Sequence, residues 1–126
     1  MPMTTYQAAK VNNQMCNKAS NAGVAQAYIA LFTSATNSSG GGTECTDSAY
    51  ARQPFTQSTT TAVTTSTAAL TWAAMAANQT IVAWALMDAA TGGNMLWQEQ
   101  FGSSITIGAG TVFSVPSGDL TFTQTT

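Results

Sequence analysis

From Ala27 onward the apolar residues either recur every second position or gather in short unbroken runs, with turn-forming residues between them. That rhythm is the one a sheet imposes. Successive side chains of a strand point to opposite faces, so alternation marks a strand with one buried face, and a short continuous run marks one buried on both. Ala27-Tyr-Ile-Ala-Leu-Phe-Thr33 is of the second kind and is expected as a central strand. Ala49 to Phe55 reads as a short strand, placed at an edge or bulge by Pro54, which has no amide to donate. Gln57 to Thr71 is almost all Thr, Ser and Ala. It reads as one bent strand or two short ones ending on Leu70 and Trp72, since a β-branched side chain suits a pleated, half-exposed surface.

Thr80 to Asp88 is the most hydrophobic strand, with Ile81, Ala83, Ala85 and Met87 expected on one face and Val82, Trp84 and Leu86 on the other. Asn94 to Phe101 is its antiparallel partner, and Asp88-Ala-Ala-Thr-Gly-Gly-Asn94 supplies the short side chains and positive-φ positions of a hairpin loop. Ile105 to Ile107 and Thr111 to Val115, around Gly108-Ala-Gly110, read as a second hairpin. Pro116-Ser-Gly118 then turns the chain into a last strand, Asp119 to Thr125. Ahead of all this, residues 4–19 read as the one helix, with Thr4 or Thr5 as N-cap and Ala8, Val11, Met15 and Ala19 on one face. Residues 1–126 are expected to form a single all-β domain. The expected architecture is an antiparallel β-sandwich or jelly-roll-like fold over about 27–125 with one N-terminal helix.

Charge decides what such a domain is able to do. Asp, Glu, Lys and Arg make up 6% of the chain, in three basic and five acidic residues with no histidine, against roughly a quarter in an ordinary soluble domain. Without histidine no Ser–His or Cys–His pair can be assembled, so the chain is read as a non-enzyme with no cofactor. Glu44 and Asp47 flank a Gly-rich loop, but a calcium loop needs three or more ligands at alternate positions, so they are read as solvated loop acids and no metal site is assigned. Gly40-Gly-Gly-Thr-Glu44 has an acid where a phosphate cradle needs its lysine. Three basic residues cannot make a nucleic-acid footprint, and the longest apolar run, Ile81 to Met87, is far short of the roughly 20 residues of a membrane helix.

The Met1-Pro-Met-Thr-Thr-Tyr6 start has no basic and apolar run of a secretory signal, so the protein is expected to stay in the compartment that makes it. Cys16 and Cys45 are accordingly read as free, mostly buried thiols, with one bridge between them as the alternative. The two sequons at Asn37 and Asn78 are read as chance. A surface of hydroxyls and amides is easier to strip of water than a charged one, which prepares the chain for burial against a partner. The candidate partner interface comprises Lys10, Asn13, Asn17 and Lys18 on the helix and Glu44, Asp47 and Arg52 around the long loop. Arg52 is expected to pair with Glu44 or Asp88 or with loop carbonyls, fixing the loop to the sheet; a contact to a partner subunit is its alternative. Trp72, Trp84 and Trp97 are read as core or interface anchors.

Four ordered stretches resemble a family of small tailed-bacteriophage virion proteins usually labelled tail fibre or minor structural protein. They are Tyr28-Ile-Ala-Leu-Phe-Thr-Ser34 with Gly40-Gly-Gly-Thr-Glu44, Ala49-Tyr-Ala-Arg-Gln53, Asp88-Ala-Ala-Thr-Gly-Gly-Asn-Met-Leu-Trp97, and Ile107-Gly-Ala-Gly-Thr-Val-Phe113 with Gly118-Asp-Leu-Thr-Phe122. The resemblance implies a virion component, assembled in the bacterial host cytoplasm, without catalytic residues. The chain's size, too small for a long repetitive shaft, favours a capsid cement or decoration protein that forms a homodimer or homotrimer and clamps the major capsid protein. The alternative is a tail-fibre or tail-tip component, including a module that binds host carbohydrate through exposed aromatics.

Overall fold

The computed structural model describes residues 3–15, 26–60 and 63–123. The helix α1 spans Thr5–Met15. The expected continuation to residue 19, with Cys16, Asn17 and Lys18, lies outside the described residues, as do the sequence positions 61–62 of the Thr-rich run and 124–125 of the last strand. Thr4 is the N-cap: its Oγ1 accepts from the Gln7 amide at 3.3 Å and donates to the Met95 carbonyl. Its own amide donates to Leu96 at 3.1 Å, and Met3 bridges Trp97. Cap and sheet attachment are therefore one structure, and the Ala8 and Val11 face packs on the core as the spacing predicts.

Nine strands follow among the described residues, all pairing antiparallel. β1 (Ala27–Phe32) lies between β2 (Gln53–Phe55) and β6 (Gln79–Met87), and β7 (Met95–Ile107) completes a sheet of order β2-β1-β6-β7. The central place of β1 and the edge place of Pro54 agree with the sequence. The Thr-rich run forms three short strands where one or two were expected: β3 (Gln57–Thr60), β4 (Val63–Ser66) and β5 (Leu70–Trp72). β4 sits between β3 and β9 (Thr121–Thr123), and β5 pairs with β8 (Phe113–Val115). Among the described residues the expected β-rich class with one helix thus holds, the strands being divided among three sheets.

Two expectations are corrected. The hairpin of 105–107 with 111–115 does not form, because Ile105 to Ile107 continue β7 and pair with Ile81 to Gln79. The turn between them is held elsewhere: Gly110 donates to the Met75 carbonyl at 2.7 Å and Met75 donates to Thr111 at 3.2 Å. The second correction concerns the faces of β6. Ala83 pairs with Gln100 and Ile81 with Ile105, so Phe101 to Ser104 stand opposite Val82 alone. The irregularity breaks the alternation on β6: Val82, expected with Trp84 and Leu86, packs instead on the side of Ala83. Ile81 consequently packs with Trp84 and Leu86, while Ala83, Ala85 and Met87 pack with Ala30, Phe32 and Met95.

The four-stranded sheet is covered on both faces. Ile29 and Leu31 join Leu70, Trp72, Met75, Trp97 and Leu120 on one side; Ala30 and Phe32 lie in the smaller cluster on the other. Each fully buried large side chain contributes roughly 1.5–3 kcal/mol relative to exposure, so the first cluster dominates the stability.

Candidate functional site

The chain's one arginine stands just before β2 and gathers three separate segments. Its Nε and Nη2 donate to Oε1 and Oε2 of Glu44, both at 2.8 Å, a fork-on-carboxylate ion pair. Its Nη1 donates to the carbonyls of Ala89 and Gly92, again both at 2.8 Å. The Tyr50 hydroxyl donates to Glu44 Oε1 at 2.7 Å and accepts from the Leu31 amide at 3.0 Å, which ties the carboxylate to β1. Glu44 itself bridges Phe32, and Cys45 donates to the Leu31 carbonyl at 2.9 Å. The expected anchoring of the long loop by Arg52 is present, and the hairpin 88–94 is anchored with it.

The electrostatics follow from these contacts. Burial works against the charge on Glu44, but its hydrogen bonds to Arg52 and Tyr50 outweigh it and hold the carboxyl below its ordinary value. The bond to Glu44 raises Arg52 further. Burial, reinforced by the Glu44 bond, pushes Tyr50 far up, so its hydroxyl is a permanent donor. Burial also raises Cys45, a free thiol exposed by only 4%. These bonds hold the chain to itself.

Asp47 does a second, separate job. It accepts from the amides of Ala76, Ala49 and Ala77 at 3.0, 2.9 and 2.9 Å and from Gln79 Nε2 at 3.2 Å, and these bonds lower its carboxyl. Glu44 and Asp47, read as solvated loop acids, are partly exposed, and they are also bonded into the chain: a backbone that leaves strand pairing exposes amides, and a carboxylate within reach takes them. Asp88 closes the hairpin, accepting from the Asn94 amide at 2.7 Å and its Nδ2 at 3.0 Å. Burial opposes its charge, and the Asn94 bonds prevail and lower it.

Of the other candidate interface residues, Asn13 lies in α1. Lys10 is half-buried there, with Nζ 5.2 Å from the Tyr6 ring centroid and its charge felt at Asp88. Glu44 and Arg52 are thus brought together, and Asp47 and Lys10 are not. The sequence reading missed Tyr50, whose place two residues before Arg52 was the available signal. It also missed the carbonyls of Ala89 and Gly92, for which no side-chain signal exists. Trp72, Trp84 and Trp97 are exposed by 0%, 4% and 5%, so they anchor the core and present no stacking platform.

Glu44, Cys45, Tyr50, Ala51 and Arg52 line a shallow depression whose other wall is Ala90, Thr91 and Gly92. Apart from the ion pair and Tyr50 its lining is small and uncharged. A family model described as Podophage GP4 fiber I protein gp80 matches residues 2–123 of the chain. No curated protein matches it.

Proposed function

The chain belongs to the family of the podophage GP4 fiber I protein gp80, a family of phage structural proteins, and from that premise we propose that it is a fibre component of the virion. The family match carries this reading. The placement of charge supports a mode of action: Glu44, Asp47, Arg52 and Asp88 are spent on contacts within the chain, which leaves hydroxyls and amides to meet partners at low desolvation cost. The protein works without catalysis or cofactor, through non-covalent contacts with copies of itself, as a dimer or trimer, and with a neighbouring virion protein. Assembly takes place in the host cytoplasm. The finer form of the fold in this reading is a sandwich in which β5 and β8 cover the Ile29 and Leu31 face of the four-stranded sheet, supported by the cluster that Leu70 and Trp72 share with them.

Capsid cement is the second reading, in which the partner is the major capsid protein. Its support is that the described strands show no repeating unit, their lengths ranging from three residues in β2 to thirteen in β7. Cryo-electron microscopy of intact particles tests both. Density at the fibres in a few copies per tail is the expected result; hundreds of copies on the capsid surface would overturn the fibre reading in favour of cement.

A further inference from the structure

Apart from the Arg52 depression, a cleft of about 190 Å³ lies where the start of α1, the tip of the Gly-rich loop and the end of the hairpin 88–94 converge. We infer that it binds one uncharged sugar residue, stacked on Tyr6. Thr4 and Met95 are buried and form its floor, closed by the bond from Thr4 Oγ1 to the Met95 carbonyl. Thr5, Tyr6, Ser39 and Asn94 are exposed and form its rim.

Three observations carry this. First, the lining offers hydroxyls and an amide and no charge. A charged ligand would lose its water there without meeting a counter-charge, and a wholly apolar one would leave the polar rim unpaired. A sugar ring satisfies both conditions, with hydroxyls for the rim and a C–H face for an aromatic ring. Second, Tyr6 is presented for that contact: it is 36% exposed, whereas the three tryptophans are buried. Lys10 Nζ stands 5.2 Å from its centroid, which steadies the ring through one face and leaves the second to the ligand. Third, the walls are fixed before a ligand arrives, so binding costs little ordering. The Thr5 amide donates to the Ser38 carbonyl at 2.9 Å, joining helix to loop, and the Gly40 amide donates to Asn37 at 3.1 Å. Asn94 donates its amide and its Nδ2 to Asp88, so its Oδ1 is the acceptor turned to the ligand. Gly40 keeps the entrance wide, since even a Cβ there would meet nothing within 4 Å.

The chemistry of the cleft does not depend on where in the virion the chain sits, so its failure would leave the fibre reading standing. Saturation-transfer NMR on the full chain tests it, with the methyl glycosides of glucose, galactose, mannose, rhamnose and N-acetylglucosamine as probes. At least one is expected to be saturated, most strongly at its ring C–H protons. Tyr6→Ala should weaken that binding about fivefold or more, the contribution of one stacked ring, while Tyr6→Phe keeps it. Ser39→Ala, on a different wall, should weaken it as well. Thr71→Val removes an exposed hydroxyl on β5 and should leave binding unchanged. Tyr6 and Ser39 are exposed, so the variants fold, which an unchanged melting temperature checks. Absence of saturation for every glycoside, wild-type binding in either Tyr6→Ala or Ser39→Ala, equal losses in Tyr6→Ala and Tyr6→Phe, or a matching loss in Thr71→Val would overturn the proposal.

Discussion

Trp72 has no accessible surface, and its indole N–H has no hydrogen-bond partner in the structure. A buried donor left unsatisfied costs about 1–3 kcal/mol. The ring is retained for its packing: it lies 5.4 Å from Phe113, tilted by 39°. Trp97, also buried, donates to Glu99 at 3.3 Å. Trp72→Phe keeps an aromatic ring and removes the stranded donor, whereas Trp97→Phe removes a satisfied one. Trp72→Phe is therefore expected to lower the urea midpoint less than Trp97→Phe does, and a larger loss at Trp72 would contradict the accounting. Apolar anchors of this kind are visible in sequence because bulk and hydropathy belong to the residue. Which indole finds an acceptor is not visible, because the acceptor comes from whatever the fold brings alongside. Arg52 shows both sides of this: a lone cation a few residues after Glu44 and Asp47 points to a carboxylate partner, while the carbonyls of Ala89 and Gly92 carry no sequence mark.

The hairpin 88–94 was legible as an element, since Asp, Gly-Gly and Asn between two apolar runs are what a tight reversal requires. Its two glycines are not equivalent. Gly92 and Gly93 both have positive φ, 62° and 73°, but a Cβ at Gly93 would stand 2.3 Å from Asp88 Oδ1 and 2.8 Å from Ala89 Cβ, whereas one at Gly92 meets nothing within 4 Å. Gly92→Ala carries the left-handed backbone cost of roughly 1–2 kcal/mol. Gly93→Ala adds displacement of the Asp88 cap, so it is expected to destabilise more and to accelerate amide exchange at Asn94, whose amide that cap holds. Equal melting temperatures for the two variants would refute the difference. The β6–β7 bulge is the element the alternation missed. The apolar pattern of Ile81 to Met87 is continuous through Val82, and only the pairing partner, with Phe101 to Ser104 inserted, reveals the slip.

For the molecule as a whole, three carboxylates brace the loops: Glu44, Asp47 and Asp88, lowered from ordinary values of 4.5, 3.8 and 3.8. Folding favours their charged forms. Their contribution is present above the unfolded values and is lost as pH falls through the lower folded ones. With no histidine in the chain, no side chain titrates near neutrality, so the melting temperature is expected to be flat between about pH 5.5 and 7.5 and to fall below about pH 4. A midpoint that moves between pH 5.5 and 7.5 in a calorimetric series would contradict this. Arg52→Met should weaken the acid sensitivity, because Glu44 then loses the partner that lowers it. The sequence by itself determined the all-β class, the central β1, the edge at Pro54, the capped helix start, the 88–94 reversal and the poverty of charge, since each follows from local periodicity, turn chemistry or composition. Only the tertiary structure decided the third division of the sheets, the partner of β8, the face of Ile81 and the joining of two distant loops on Arg52. Those depend on contacts between segments far apart in the chain, and backbone amides and carbonyls, alike at every residue, form many of them.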